Sequence, residues 1–180
     1  MKAQQLLAQY AAGERDFTDI NLSEADLQGA DLSGAILDRA ILDGANLTEA
    51  NLRSCSLSQA DLNGANLTNA DLSAANLSGA TLDGAILEGA ILDSANLSQS
   101  ELTVAKMIDA NLSDADLSEA NLSAANLDQA DLTGADLAVA DLSQANLSQA
   151  DLNQANLNGA NLEGANLEGT ILDENNFDKQ

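Results

Sequence analysis

The sequence predicts an all-β solenoid that bends once every five residues. Three observations predict it. A large apolar residue recurs at every fifth position from Phe17 to Phe177, which makes 33 repeats; thirty of the centres are Leu and the others are Phe17, Met107 and Phe177. A small residue stands two positions before each centre, Ala in 27 of the 33, with Arg15, Ile20, Cys55, Ser100, Thr170 and Asn175 as the exceptions. Eleven of the twelve glycines fall two positions after a centre, among them Gly29, Gly84 and Gly164.

The spacing rejects simpler elements. On a helix a five-residue step rotates each Leu by about 140°, so no apolar stripe forms. On a straight strand Ala and Leu, two apart, share a face, but the next Ala is three further on and faces away. One bend per repeat returns it to the inside. In a four-residue turn starting at the Leu, the glycine is the third residue, where a type II turn needs positive φ. Val104 and Val139 occupy the same position. A β-branched residue resists positive φ, so a different turn type is expected at those two corners.

Runs such as ADLSGA, ANLSGA and ADLSQA carry a family likeness: over about nine-tenths of its length the chain resembles the pentapeptide repeat proteins. The resemblance implies a right-handed quadrilateral parallel β-helix with four repeats per coil. The central Leu and the preceding Ala point inward, and the other three residues point out. Thirty-three repeats then make just over eight coils. At ~4.8 Å per coil the rod is ~39 Å long. Each buried Leu contributes roughly 1.5–3 kcal/mol, so no single centre dominates.

The ends need closing. Residues 1–13 are expected to form an N-terminal helical cap, and residues 14–180 the β-helix. Ala3, Leu6, Leu7, Tyr10 and Ala11 fall at helical spacing on one face. Gly13 suits the position just past a helix end. The stretch YAAGERDF also resembles the N-terminal cap of cyanobacterial members of the family. A membrane-surface helix fits poorly, because Lys2 is the one cation on its polar face. The C-terminal ILDENNFDKQ has no amphipathic helix. Phe177 is expected to cover the last leucine layer, while Asp173, Glu174, Asp178 and Lys179 discourage strand addition. A monomer, or a weak homodimer through this end, is the expected state.

Composition narrows the chemistry. Net charge is −23, from 29 acids and 6 bases, with no His and one Cys. Such a surface opposes nucleic acid and anionic membrane as direct partners. An internal disulfide and a Cys/His metal site are excluded, as are Ser–His and Cys–His catalytic pairs. No enzyme activity and no cofactor are expected. Cys55 takes an inward Ala slot and reads as a small apolar substitute. Stacking every fourth repeat sets Asp116 beside Asp136 and Asp131 beside Asp151. These read as a solvated acidic face, since calcium sites want about 6–8 oxygen ligands. Asn126, Asn146 and Asn166 share one column and are expected to form a side-chain ladder. The opening residues lack a signal peptide's apolar core, and no run reaches about 18 apolar residues, so a cytoplasmic protein is expected.

What remains is a rigid acidic rod for an unidentified protein partner. Its irregular stretch is ELTVAKMIDA, residues 101–110, where Val104 and Ile108 stand in usually polar outward positions and Lys106 stands where Asn or Asp is usual. The four-repeat coil places Lys106 over Ile86 and brings Ile108 towards Ile91, with Glu88 and Asp128 flanking Ile108 and within reach of Lys106. Ile86, Ile91, Lys106 and Ile108 form the candidate interaction patch; Ile36 and Ile41 form a second, weaker one. The competing reading is drift, with Ile favouring a strand and a local salt bridge at Lys106. The alternative function is imitation of DNA, binding gyrase or another topoisomerase, as some family members do. A ~39 Å length of B-DNA carries about 23 charges, which matches the net charge. Yet the acids divide 7, 7, 6 and 8 among the four faces, with Glu14 outside, and form no stripe.

Overall fold

The bend predicted in each repeat is present in the backbone of the computed structural model, which describes residues 3–173. All 31 corner positions from Asp19 to Gly169 have positive φ, and twenty of them are not glycine. Each residue just before a centre pairs in parallel with its equivalent four repeats on, from Asp16 with Ile36 to Asn146 with Asn166. One corner per repeat and pairing at every fourth repeat give four sides per coil. Most sides contribute one bridging pair; the continuous pairing is between β1 (Asp151–Leu152) and β2 (Ile171–Leu172).

Residues 145–149 show how one repeat satisfies its five backbone N–H groups. Ala145 N donates to Leu142 O across the preceding turn, at 3.0 Å. Asn146 N donates to Ala125 O in the earlier coil, at 2.9 Å. Leu147 N and Gln149 N donate to Asn166 O and Glu168 O in the later coil, at 2.8 and 2.9 Å. Only Ser148 N lacks a backbone acceptor, and it donates to Asn146 Oδ1 at 3.2 Å. That last contact is an Asx turn, which explains the preference for Asn or Asp just before the centre.

The core is the predicted one. Every centre from Leu22 to Leu152 is at most 1% exposed, Met107 included. Cys55 is buried too; its Sγ donates to Leu32 O at 3.0 Å, and burial pushes the thiol pKa up to about 11. In the last coil Leu157, Leu162 and Leu172 are half-buried and Leu167 is exposed. Phe177 and the acids beyond Asp173 lie outside the described residues, as does Lys2.

At the other end α1 spans Ala3–Ala11. Leu6 is fully buried in the core cluster, and Ala3, Leu7 and Tyr10 pack against it half-buried. Ala11, expected on the same face, is exposed. At 3.6 residues per turn it lies about 140° round from Leu6, past the edge of the contact. Gly13 takes φ 100 where the chain leaves the helix. Tyr10 Oη donates to Ser33 O at 2.8 Å, and the Arg15 guanidinium lies 3.8 Å over the Tyr10 ring. Arg15 Nη1 also donates to the carbonyls of Tyr10 and Glu14, both at 2.8 Å.

The two valine corners depart from expectation. Val104 and Val139 have φ 54 and 61, as at every other corner. Their N–H groups donate to the next coil, to Ser123 O at 3.1 Å and Asn158 O at 2.9 Å. Coil stacking therefore imposes the left-handed conformation over local preference. The penalty for an L-residue there is roughly 1–2 kcal/mol.

Corner strain is open to direct measurement. Val139 is 64% exposed, so its side chain stabilises little by burial. Val139→Gly relieves the corner, less ~0.5–1 kcal/mol for glycine's freedom in the unfolded chain. The variant should be neutral or more stable by up to ~1.5 kcal/mol, whereas Leu97→Ala should lose about 2–5 kcal/mol. Urea unfolding of the two variants measures both; a clear loss in Val139→Gly contradicts the strain. The Asx turns predict a dependence on pH. Asp141 Oδ1 accepts from Ser143 N at 2.9 Å and from Asn161 Nδ2 at 3.0 Å. The hydrogen bond from the Ser143 backbone, with lesser help from its hydroxyl and Asn161, holds the Asp141 pKa below the usual carboxylate value. A lowered folded pKa means stability that is present above pH ~4 and lost as pH falls through the folded value. Asp141→Asn keeps the acceptor at every pH. Its stability relative to wild type should therefore improve from pH ~6 to pH ~3, followed by chemical unfolding; a flat difference overturns the assignment.

Candidate functional site

The coil register brings the predicted patch together. Lys106 pairs directly with Ile86 on one side of the rod, and Ile91 pairs with Asn111 on the next. Ile108 stands at the corner between these sides: its carbonyl accepts from Gly89 N, and Asp109 N donates to Asp128 O. Glu88 and Asp128 thus lie in the coils flanking Ile108. Ile91 is 40% exposed and Lys106 is exposed, while Ile86 and Ile108 are half-buried.

The expected salt bridge is absent. Among the described residues, Lys106 forms no ion pair with Glu88, Asp128 or any other acid. Lys106 projects from the flat side, whereas both acids follow their centres and stand at the corner. An exposed ammonium gains little from pairing and loses side-chain entropy by it. The arginines differ. Arg39 grips Asp19 with Nε and Nη2 at 2.8 and 2.9 Å, and that pairing holds the Asp19 pKa down. Arg53 Nη1 meets Asp71 Oδ2 at 3.0 Å.

Val104, read from the sequence as an outward apolar residue but left outside the patch, borders it. It is 54% exposed at the corner two residues before Lys106. Its signal is an apolar residue in a column whose neighbours are Gly84 and Ala124. The second patch is also at the surface, with Ile36 38% and Ile41 39% exposed on adjacent sides and Arg39 at the corner between them.

The patch interrupts the polar order of the rod. Asn166 Nδ2 donates to Asn146 Oδ1 at 2.9 Å, and Asn146 Nδ2 to Asn126 Oδ1 at 3.0 Å, which forms the expected ladder. The next position down the column is Lys106, which has no acceptor, so the ladder stops there. Ile36, Ile41, Ile86 and Ile91 likewise offer no side-chain acceptor to the N–H two residues on. Other repeats without Asx recruit one from the coil below. Ser58 N uses Asp38 at 3.1 Å, Asp83 N uses Asn63 at 2.9 Å, and Thr103 N uses Asp83 at 3.0 Å.

The stacked acids are in register as predicted, Asp116 with Asp136 and Asp131 with Asp151. Each carboxylate accepts from its own repeat, from Ser118, Ala138, Thr133 and Asn153 N respectively. No three or more Asp, Glu, Cys or His side chains among the described residues are grouped to hold a metal ion. No helix among them is long and apolar enough to cross a membrane.

The pentapeptide-repeat profile matches in overlapping stretches, 16–53, 50–89, 70–107, 105–144 and 135–173. Pentapeptide repeat proteins fold as right-handed quadrilateral β-helices. HetL from the cyanobacterium Nostoc sp. strain PCC 7120, a pentapeptide repeat protein involved in heterocyst differentiation regulation, is 37% identical. The match covers 95% of this chain and 94% of HetL, with a TM-score of 0.40. Alr5209 from the same organism is 27% identical, with 96% of each chain covered and a TM-score of 0.31. QnrB1, a plasmid-mediated fluoroquinolone resistance protein, is 25% identical in one trypsin-treated variant form, over 92% of this chain and 86% of that one, with a TM-score of 0.48. No curated protein matches the chain. With its repeat profile matched from residue 16 to residue 173, the chain belongs to the pentapeptide repeat family.

Proposed function

We propose that the chain is a rigid, acidic, non-enzymatic interaction module that docks a protein partner at the corner of Ile86, Ile91, Lys106 and Ile108, with Val104 at its margin. One observation carries this reading. The position before each centre has a structural task, accepting the otherwise unpaired N–H of the residue just after the centre. Isoleucine gives up that bond, worth about 1 kcal/mol, and leaves apolar surface in water. A contiguous apolar patch rimmed by charge marks an interaction site. Total charge favours a second reading, imitation of DNA towards gyrase, since −23 matches a duplex of the rod's length. We further propose that α1 is the cap of the solenoid, because Leu6 is buried in the core cluster at that end.

Two experiments test these readings. Affinity capture from native extract compares the wild type with Ile86→Asn/Ile91→Asn, which installs the repeat's own residue and should fold normally. Partners should be lost in the variant; equal recovery removes the corner from function. In the same comparison, inhibition of gyrase supercoiling by both proteins alike at micromolar concentration moves the function to the charge. For the cap, Leu6→Asp places an unpaired charge in the core. Hydrogen exchange should then lose protection first in the coils nearest α1, and unchanged protection there rejects the cap.

A further inference from the structure

Residues 34–46, GAILDRAILDGAN, recur at 84–96 as GAILEGAILDSAN, identical at ten of thirteen positions. The offset is ten repeats, and the pairing register puts four repeats in a coil. Ten repeats are therefore two and a half coils. The half coil carries the second copy to the opposite edge of the rod. Ile36 and Ile41 stack in the columns of Ser56 and Asp61, whereas Ile86 and Ile91 stack in those of Lys106 and Asn111, and no column is shared. The two and a half coils separate the edges by ~12 Å along the axis.

The two edges present similar surfaces. Ile36, Ile41 and Ile91 are 38, 39 and 40% exposed, and Ile86 is half-buried. Each isoleucine is followed two residues later by an acid: Asp38 and Asp43 on one edge, Glu88 and Asp93 on the other. Each edge also carries one cation, Arg39 or Lys106. The remaining isoleucines, Ile20, Ile108 and Ile171, do not form such pairs.

We propose that the rod is bivalent and binds two copies of one partner segment, one on each edge. This rests on the docking role proposed above for the Ile86/Ile91 corner. Charge complementarity defines the segment as aliphatic side chains interleaved with Lys or Arg. The isoleucine pair takes the aliphatic groups, and the paired acids take the cations. A second copy of this chain is a poor occupant, since both rods carry −23. Opposite edges keep the two bound copies from colliding, so the rod brings two partner molecules together at a fixed separation.

The test is stoichiometry. The intact chain is titrated calorimetrically at physiological salt with the peptide Lys-Ile-Lys-Ile-Lys, and with Lys-Ala-Lys-Ala-Lys to measure binding by charge alone. Wild type should bind two Ile peptides per chain beyond the Ala control. Ile36→Asn/Ile41→Asn should bind one, Ile86→Asn/Ile91→Asn one, and the fourfold variant none. Circular dichroism confirms that the Asn variants are folded. One site, abolished only by Ile86→Asn/Ile91→Asn, overturns bivalence and leaves the docking corner standing. Binding equal to the Ala control, or unchanged in all variants, overturns both.

Discussion

The corner N–H that bonds to the next coil is the contact on which the fold depends. Gln149 N to Glu168 O and Val104 N to Ser123 O are two examples. The bond is made in repeat after repeat, and it requires positive φ at the donor. Glycine meets that requirement without penalty, but most corners are not glycine. The strain is small at each corner and is offset locally by an inward Leu and Ala that are excluded from water. Each coil contacts only its neighbours, so stability is distributed along the rod rather than concentrated at one centre.

This backbone leaves the outward positions unequal. Four of the five N–H groups in a repeat find carbonyls, and the fifth needs an oxygen from the residue just before the centre. That position is thus structural despite facing solvent, which is why Asn and Asp dominate it. Where Ile replaces them, an acid reappears two residues later, at Asp38, Asp43, Glu88, Asp93 and Asp173. Asp38 shows what the displaced carboxylate does, accepting from Ser56 Oγ and Ser58 N in the coil above. At Asp38, and at Asp93, which accepts from Ser113 Oγ at 3.1 Å, the network is rerouted through a neighbouring coil, and the side of the rod carries an apolar residue.

The five-residue spacing makes the fold legible because one geometric rule recurs along the whole chain. The core, the Asn ladder at Asn126–Asn146–Asn166 and the buried Cys55 all follow from that rule. The departures have a different origin. Local propensity misleads at Val104 and Val139, because bonds from the adjacent coil decide their φ. Column positions set acids near Lys106 and so suggest a salt bridge, yet side and corner columns project differently and solvent competes for an exposed ammonium. Ala11 shares the helical spacing but lies beyond the angular limit of the contact around Leu6. The Ile86, Ile91, Lys106 and Ile108 corner is readable from the sequence because register alone determines adjacency.

Rigidity links this architecture to the docking role proposed for it. An apolar corner on a flexible loop must be ordered at the moment of docking, which costs conformational entropy. Here the isoleucines stand on backbone held from both adjacent coils, Ile86 N to Ala65 O at 2.9 Å and Leu87 N to Lys106 O at 2.7 Å. The acids beside them are placed by the same coils, so apolar and charged contacts arrive already spaced. Imitation of DNA asks for something different, a continuous stripe of charge along one face. The near-even division of acids among four faces spreads the charge around the rod instead. The edges where Asx gives way to Ile are where that uniform surface acquires local character, and the docking sites proposed for this rod lie there.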